Sequence, residues 1–561
     1  MADWKDLADL IFPELDETIL DLEKKYPARQ NSVCSRFAPS PTGFLHIWGV
    51  FAALVAWRFV KQNNWTFILR IEDTDQKRKI DWAVESLLNS MKTFWITIDE
   101  WNIGNDWENV WDYGPYTQSE RKKLYHIFVK ELIAKWLAYP CWMTNEEIDN
   151  IRDQQQKSKI MPWIYGNYSI YRNKTVGELI NKIKENNNFI IRFRSHGDTQ
   201  KKIVFDDILR WKVNMWDNYN DIVLIKSDGL PTYHLAHIVD DYLMRVSHII
   251  RAEERLTSVP LHLQLFEAFG LPAPKYCHLA QILKIDSETN KKRKLSKRQD
   301  PEADVEYFFQ NAYSTQWILD YLYTIMDSGF EEWQKANPDK SFLDRDFVLE
   351  NMNKSGALFD LTKMESVNND YLSRISTDQL LKETIERAEK YNIELADLMK
   401  KDINYTRSAL DIERHTPKDP KRFTTFKDVD TQLSFFFDSE YEKMIDSVKI
   451  KIKNWDEFFQ NIIKLDVLVV SNFIDEYLWV LDLELTVEEW FEQLKKIWKK
   501  YWFAWNNAEF KEWGYIWKIW DLAMLIRLWL CASTKTPDLF SVMKVMGKDK
   551  IEKRLKTFVN L

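Results

Sequence analysis

The sequence predicts an α/β fold in which a Rossmann-like parallel sheet is split by an inserted domain and followed by an all-helical region. Three observations carry this prediction. Strand and helix signals alternate over residues 31–110 and return over 221–300, a segment of mixed character separates the two stretches, and amphipathic helical patterns dominate after about residue 300. Alternating strands and helices are typical of a parallel sheet covered by helices.

The first strand is predicted to end in a turn rich in proline and glycine, Pro39–Gly43, which delivers His46 to the start of a helix over residues 47–62. Unpaired backbone N–H groups and the helix dipole favour phosphate at such a helix start. A second strand is predicted over Thr66–Asp73, with alternating apolar residues, and an amphipathic helix over Val84–Phe94.

The inserted segment, residues 111–220, contains a strand-like run at Phe189–Arg194. Buried strands are then predicted at Asp221–Lys226, at Ser247–Arg251 and near Leu279–Ile285. Long charged amphipathic stretches such as Thr377–Tyr391 and Val487–Lys500 predict helices in the tail. Residues 1–30 are charged and amphipathic, which predicts an N-terminal helical extension packed on the body.

Composition narrows the class of protein. The chain has 561 residues, a formal net charge of −8 and four widely separated cysteines, which argues against a disulfide framework and against a clustered zinc site. We therefore expect a reducing, cytoplasmic location, and the absence of a long apolar run predicts no membrane span. The basic run Lys291–Arg298 is usually typical of a solvated linker, although an acidic protein can still bind RNA through a basic face.

The tryptophan content is the anomaly of this sequence. The chain has 26 tryptophans and 13 glycines, whereas usual usage predicts roughly 39 glycines. Tryptophan also stands where glycine is expected, as at Trp65 after Asn63-Asn64, at Trp163 after Met161-Pro162, and in a crowded stretch comprising Trp502, Trp505, Trp513, Trp517, Trp520 and Trp529. The hypothesis is that many UGA codons, read as glycine in the cell, are written as tryptophan here; the alternative is a genuinely tryptophan-rich protein. Trp57 and Trp333 fit as true tryptophans.

Two segments, Pro39–Gly49 and Lys294–Arg298, resemble in order and spacing the two signature motifs of class I aminoacyl-tRNA synthetases. The amino-acid sequence most resembles that of the glutamyl-tRNA synthetase family. The resemblance lies in the segments Arg36–Gly43, Leu69–Asp75, Asp228–Ala236, Val239–Asp241 and Ile250–Glu254. The resemblance implies ATP-dependent ligation of L-glutamate to tRNA(Glu) through a glutamyl-adenylate. Such chemistry depends on positioning and on electrostatic stabilisation of phosphate charge.

The resemblance also implies roles for individual residues and regions. His46, Lys294 and Lys297 would be catalytic, and Ser40, His46, Gly49, Lys294 and Lys297 would bind ATP together with Mg²⁺. The chain would divide into an extension (1–30), a catalytic domain (31–110 and 221–300), an acceptor-end domain (111–220), a stem-contact region (301–370) and a helical anticodon-binding domain (371–561). No zinc or other resident metal is expected, because Cys141 has no partner cysteine nearby in sequence. A monomer is expected, because nothing in the sequence indicates an obligate interface.

The glutamate-binding positions implied by the resemblance are Arg36, Ala38, Ser40, Glu72, Tyr233, His237 and Arg251. Guanidinium forks at Arg36 and Arg251 suit a carboxylate, and Glu72 suits the substrate ammonium. The alternatives are an internal ion pair for Arg36 and Glu72, and a satisfied core histidine for His237.

Position 48 departs from the family, which normally has a small residue against which adenine packs. An indole there would fill the nucleotide pocket, so a genuine Trp48 favours a non-catalytic nucleotide- or tRNA-binding protein. A glutaminyl-tRNA synthetase is the nearest rival enzyme, but that family ends in β-barrels. A shortened paralogue that glutamylates a modified tRNA base would lack the helical tail.

Overall fold

The computed structural model of the chain describes residues 3–30, 33–101, 113–286, 288–296, 298–337, 340–414, 422–453, 467–501, 503–504 and 517–559. The chain divides into two compact units. The first comprises Met1–Phe308 and Leu319–Asp360, and the second comprises Phe309–Ile318 and Leu361–Leu561.

The helices of the first part of the chain are α1 (Trp4–Ile11), α2 (Ile19–Lys25), α3 (Ile47–Lys61), α4 (Ala83–Thr93), α5 (Lys122–Ala134), α6 (Asn145–Lys157), α7 (Val176–Glu185), α8 (Tyr233–Leu243), α9 (Val259–Phe269), α10 (Val305–Gln310), α11 (Thr315–Met326) and α12 (Phe330–Ala336). The remaining helices are α13 (Leu361–Arg374), α14 (Thr377–Tyr391), α15 (Ile393–Lys401), α16 (Ile403–Asp411), α17 (Phe426–Ser434), α18 (Asp438–Lys453), α19 (Val467–Val480), α20 (Val487–Trp498), α21 (Ile519–Cys531), α22 (Leu539–Met546) and α23 (Lys548–Val559).

The strands are short. They are β1 (Cys34–Phe37), β2 (Thr66–Leu69), β3 (Ala138–Cys141), β4 (Ile190–Phe193), β5 (Lys202–Asp207), β6 (Trp211–Trp216), β7 (Val223–Ile225), β8 (His248–Ala252), β9 (Lys275–Leu279), β10 (Ile282–Ile285), β11 (Lys292–Lys294), β12 (Ala357–Leu358), β13 (Phe503–Ala504) and β14 (Trp517–Lys518).

The predicted parallel α/β core is confirmed. β1 pairs with β2 in parallel, with Arg36 opposite Ile68, and β8 pairs with β9 in parallel, with Arg251 opposite His278. The amide of Ser247 donates to the carbonyl of Cys34 at 3.0 Å, which brings β8 beside β1. β2 is buried on both faces, as expected of a parallel strand covered by helices.

The inserted segment contributes a sheet of its own and one strand pair that joins the core. β3, β4 and β7 form an antiparallel sheet. β5 and β6 form a hairpin, and β5 pairs in parallel with β9 through Asp207 opposite Tyr276. The sequence prediction did not include this hairpin, although it carries Asp207 directly to the core sheet.

The N-terminal extension is helical, as predicted. α1 and α2 each begin with a reciprocal capping box, formed by Asp3 with Asp6 and by Thr18 with Asp21. Lys130 on α5 donates to the carbonyls of Phe12 and Leu15, which holds this segment against α5.

Where the structure describes it, the second unit consists of helices and loops together with the two-residue strands β13 and β14, which the sequence prediction lacked. Its core is built from apolar residues on α13–α23. The prediction of a helix at Thr377–Tyr391 matches α14, and that at Val487–Lys500 ends two residues earlier as α20. No helix among the described residues is long and apolar enough to cross a membrane.

Three predictions about two strands need correction: where β2 ends, the alternation along it, and the single strand near Leu279–Ile285. β2 ends at Leu69 rather than Asp73, and Ile71 makes only an isolated bridge with Thr117. Ile68 is as buried as its neighbours, so the strand does not alternate. The strand predicted near Leu279–Ile285 is two strands, β9 and β10, and the second is only partly buried.

Candidate active site

His46 is the N-cap residue of α3, with extended backbone. Its Nδ1 accepts a hydrogen bond from the backbone N–H of Trp48 at 3.0 Å. A neutral imidazole that accepts on Nδ1 carries its proton on Nε2. His46 therefore has the tautomer needed to donate from Nε2 to an anion at this helix start.

The turn before α3 is tied to the end of β2. The amide of Glu72 donates to the carbonyl of Pro39 at 2.9 Å, so the segment that carries Ala38 and Ser40 runs beside Glu72. Ser40 is exposed, and Ala38 is half-buried. A Cβ on Gly49 would lie 2.7 Å from the Cδ1 of Leu45, so this helical position favours glycine.

Arg36 is a buried residue that contacts a single carboxylate. Its Nε and Nη2 donate to the two carboxylate oxygens of Asp241, at 3.0 and 3.3 Å. Arg70 also donates to Asp241, through Nη1 at 2.6 Å. Although burial opposes ionisation, the two guanidinium groups hold the pKa of Asp241 well below its usual range.

Glu72 pairs with Arg70 rather than with Arg36. Its Oε1 accepts from Nη2 of Arg70 at 3.1 Å. Burial raises the pKa of Glu72 above its usual value, despite the opposing charges of Arg70 and Arg36. Arg36 and Glu72 are therefore each in an internal ion pair, Arg36 with Asp241 and Glu72 with Arg70, and not with each other.

Arg251 is buried, and the groups that contact its guanidinium are neutral. Its Nε donates to Nε2 of His278 at 3.0 Å, and its Nη1 lies 3.2 Å from the Tyr233 hydroxyl and 3.3 Å from Nε2 of His237. Its Nη2 donates to the carbonyl of Arg255 at 3.2 Å. Within the described part of the chain, Arg251 makes no ion pair, in contrast to Arg36.

Histidines dominate the surroundings of Arg251. Burial lowers the pKa of His237 to about 3, and that of His234 to about 4. Burial also lowers the pKa values of His262 and His278. These side chains are therefore neutral near pH 7, and they leave the charge of Arg251 without a counter-ion of its own.

Of the seven predicted glutamate-binding residues, the structure brings five into one network. Asp241 connects Arg36 with His237, whose Nδ1 lies 3.0 Å from its Oδ2, and Arg70 connects Asp241 with Glu72. Arg251 joins the network through its contact with His237, and its hydrogen bond to the hydroxyl of Tyr233 adds that residue. Ala38 and Ser40 lie on the turn that runs beside Glu72.

The second signature segment begins at β11. Lys294 is ion-paired with Glu254, and Lys297 lies outside the described residues. Arg293 donates to both carboxylate oxygens of Asp300, at 2.6 and 2.7 Å, and this contact lowers the pKa of Asp300. The ends of the lysine segment are thus clamped together.

The residues that follow this segment, Asp304 and Val305, meet the start of α3. A backbone bridge links His46 with Asp304, and the amide of Val305 donates to the carbonyl of Leu45 at 3.3 Å. The two signature motifs, which lie far apart in sequence, therefore join the same part of the first unit.

Trp48 lies in the first turn of α3 with 9% of its surface exposed, and its ring packs on Phe51 at a centroid distance of 5.4 Å. The indole is thus buried against Phe51, two residues along the helix from the N-cap His46.

Tryptophan occurs at three left-handed backbone positions. Trp95, Trp136 and Trp211 have φ of 55°, 60° and 65°, and they are 50%, 47% and 66% exposed. They make up three of the ten non-glycine residues with positive φ in the described part of the chain. This backbone is unusual for a bulky residue and ordinary for glycine.

Two of these tryptophans end helices in the manner of a glycine. Trp95 follows α4 and Trp136 follows α5, and in each case the next residue donates to a carbonyl five residues earlier. Gly270 ends α9 in the same way: the amide of Leu271 donates to the carbonyl of Phe266, five residues earlier, and the φ of Gly270 is 71°.

Among the described residues, none of the tryptophans that the sequence analysis named in turns or in the crowded stretch has this left-handed backbone. Trp65 and Trp163 are not left-handed; Asn64 and Gly166 carry the positive φ in those two turns. Trp502, Trp505 and Trp513 lie outside the described residues, as do the side chains of Trp517 and Trp520. Trp529 is buried, and Trp57 is buried with its Nε1 donating to Thr97 at 3.0 Å.

Sequence reasoning missed Asp241, Arg70, Asp207 and His278 as parts of this site. Arg70 and Asp241 lie within segments that resemble the family's motifs, so the sequence did draw attention to them. A buried ion pair between distant segments, however, cannot be inferred from sequence spacing. Asp207 and His278 carry no local signal.

Parallel strands, a histidine at a helix start, a clamped lysine segment and a buried guanidinium define a class I aminoacyl-tRNA synthetase. Residues 32–365 match the family described as tRNA synthetases class I (E and Q), catalytic domain, and residues 379–559 match an anticodon binding domain.

Full-length relatives specify the family further. The chain is 37% identical over 563 residues to a glutamate–tRNA ligase of Clostridium perfringens, with all of both chains covered. It is 36% identical over 559 residues to the glutamate–tRNA ligase of Acetivibrio thermocellus, covering 99% of each. The chain belongs to the glutamate–tRNA ligase family.

A solved structure agrees with this assignment. The crystal structure of a glutamate tRNA ligase from Elizabethkingia meningosepticum in complex with its amino acid superposes with a TM-score of 0.68 at 28% identity. The match covers 94% of this chain and 99% of that chain.

Proposed function

We propose that this chain ligates L-glutamate to tRNA(Glu) through a glutamyl-adenylate, consuming ATP and releasing AMP and diphosphate. The observation that carries the proposal is Arg251, a buried guanidinium surrounded by neutral acceptors. A buried charge without a counter-ion is costly, so this arrangement favours an anionic ligand. The γ-carboxylate of glutamate supplies that anion, whereas the γ-amide of glutamine does not.

The remaining predicted residues contact the other groups of the glutamate substrate. Glu72 offers a carboxylate to the substrate ammonium, and Tyr233 offers its hydroxyl beside Arg251. Arg36 acts together with Asp241, which fixes the plane of its guanidinium. Ala38 and Ser40 border the same space from the turn before α3.

His46 and the lysine segment act on ATP. The substrate carboxylate attacks the α-phosphate, and the charge that leaves with diphosphate needs positioned donors. His46 donates through Nε2, Gly49 and Ser40 allow close approach, and Lys294 and Lys297 hold the β- and γ-phosphates. Lys294 must then leave Glu254. Mg²⁺ would arrive on the phosphates, as it does where a protein offers no cage of its own.

The division of labour along the chain is also a proposal. Residues 111–220 bind the acceptor end, 301–370 contact the stem, and 371–561 bind the anticodon, which the match at 379–559 supports. We also propose a monomer as the working unit. The setting is the cytoplasm, where four buried free thiols would stay reduced.

Position 48 bears directly on activity. We infer that the active molecule carries glycine at 48, 95, 136 and 211. Left-handed backbone supports glycine at positions 95, 136 and 211. At position 48 a bulky indole stands in the first turn of α3, where the family resemblance puts a small residue against which adenine packs. Trp57 serves as the contrast, because its ring is buried and hydrogen-bonded.

Two measurements test this part. Peptide mass spectrometry of the protein from its natural source should find glycine at positions 95, 136 and 211 and tryptophan at position 57. In glutamate-dependent exchange of diphosphate into ATP, the Trp48→Gly variant should be active and the Trp48 protein nearly inactive. Equal exchange by the two proteins would contradict the proposal for position 48.

A further inference from the structure

Arg251 is oriented by a side chain that comes from the inserted segment. Asp207, the last residue of β5, contacts Nδ1 of His278 through its Oδ2 at 2.7 Å. On the other side of the ring, Nε2 of His278 accepts from Nε of Arg251 at 3.0 Å. The three residues form one chain of hydrogen bonds from carboxylate to imidazole to guanidinium.

The chain of hydrogen bonds works in only one protonation state. Because Nε2 must accept from Arg251, the proton of a neutral ring must be on Nδ1, where Asp207 accepts it. Asp207 is itself held, since its Oδ1 accepts from the amides of Leu209 at 3.1 Å and Arg210 at 2.9 Å. Its Oδ2 also accepts from the amide of His278 at 3.1 Å.

We propose that Asp207 and His278 are positioning residues for glutamate: together they fix the plane of the Arg251 guanidinium so that it meets the substrate carboxylate. The imidazole keeps the negative charge of Asp207 away from Arg251. A carboxylate in direct contact would neutralise the guanidinium, as Asp241 does for Arg36. A neutral acceptor orients it and leaves its charge for the ligand.

This inference rests on the proposed function, and it adds a role for the insertion beyond tRNA binding. β5 pairs with β9 through Asp207 and Tyr276, so the hairpin of the inserted segment supports the amino-acid site. A displacement of that hairpin would therefore change affinity for glutamate.

The test is the KM for L-glutamate in exchange of diphosphate into ATP with tRNA(Glu) present, in whichever background, Trp48 or Trp48→Gly, is active. Asp207→Asn and His278→Leu should raise the KM for glutamate at least about tenfold, the usual effect of losing a hydrogen bond to a charged group. The KM for ATP should stay within about twofold. His278→Gln keeps an acceptor for Arg251 and a donor for Asp207, so its KM should stay within about threefold.

Asp206→Asn is the matched control, because Asp206 is the exposed neighbour on the same strand and its carboxylate pairs with the exposed Lys212. If His278→Leu does not fold, Asp207→Asn and His278→Gln decide the matter. A glutamate KM for Asp207→Asn equal to that of Asp206→Asn would overturn the proposal, as would a parallel rise in the KM for ATP. Absence of exchange in both backgrounds would instead overturn the proposed function.

Discussion

Trp95 gives the sharpest test of the claim that some tryptophans stand at glycine positions. Its φ of 55° follows the last turn of α4, and half of its surface is exposed. The amide of Ile96 donates to the carbonyl of Met91 at 2.9 Å, which closes the helix end in a way that requires a left-handed residue between them. We therefore compare Trp95→Gly with Trp95→Ala.

The two substitutions remove the same indole and differ only in one methyl group. A residue with a Cβ pays roughly 1–2 kcal/mol in a left-handed conformation, and glycine loses part of that advantage because its unfolded chain is more flexible. Glycine should therefore exceed alanine at position 95 by about 1 kcal/mol in free energy of unfolding. Trp95→Gly should equal or exceed the parent protein.

The same pair at position 57 should have the opposite sign. Trp57 lies inside α3 and is 5% exposed, so both substitutions should cost about 3–5 kcal/mol. Within a helix, glycine should then be the worse by about 1 kcal/mol. Urea unfolding followed by circular dichroism gives these differences, since comparison within each pair cancels shared baselines.

A loss of more than about 1 kcal/mol in Trp95→Gly would refute the reasoning, because the indole would then be a stabilising native side chain. The reasoning would also fail if alanine equalled glycine at position 95, because the left-handed backbone would not be a property of the folded chain.

Three further predictions concern buried charge. Acid should destabilise the first unit, because His234 and His237 have folded-state pKa values of about 4 and about 3 and gain protons only on unfolding. Their contribution to the free energy of unfolding is complete well above pH 6.5 and falls by about 4 kcal/mol by pH 5. Urea unfolding at each pH measures this change. Asp241→Asn should lower the free energy of unfolding by at least about 3 kcal/mol, since buried Arg36 loses its carboxylate partner and buried Arg70 keeps only its pairing with Glu72 and the more distant Asp240. The exposed control Asp206→Asn should change it by less than about 0.5 kcal/mol. Arg293→Ala should open the base of the lysine segment and raise the KM for ATP about tenfold, with the KM for glutamate unchanged. An unchanged KM for ATP would show that the clamp with Asp300 has no bearing on nucleotide binding.

The sequence was sufficient for the fold class, for the family and for several of the longer helices. Helix α3 and helix α14 follow their apolar periodicity to within a residue. Local patterns encode such elements fully, because each repeats over several turns. The β5–β6 hairpin was missed, because its strands expose one face and β6 begins at Trp211, whose backbone is left-handed.

The predicted glutamate-binding residues could be listed from the sequence, but their connections could not. Arg36, Glu72, Tyr233, His237 and Arg251 share one network, while their contact with glutamate stays a prediction. What the sequence could not supply was which buried carboxylate faces which guanidinium, since Asp241 lies 205 residues from Arg36. Contacts of that range depend on the packing of strands and helices rather than on spacing.

The central claim is that this chain activates glutamate, and exchange of radioactive diphosphate into ATP tests it most directly. With tRNA(Glu) present, the Trp48→Gly variant should exchange in response to L-glutamate and not in response to L-glutamine, because Arg251 needs a carboxylate. Equal exchange with glutamine, or no exchange with either amino acid from the Trp48 and the Trp48→Gly proteins alike, would contradict the account.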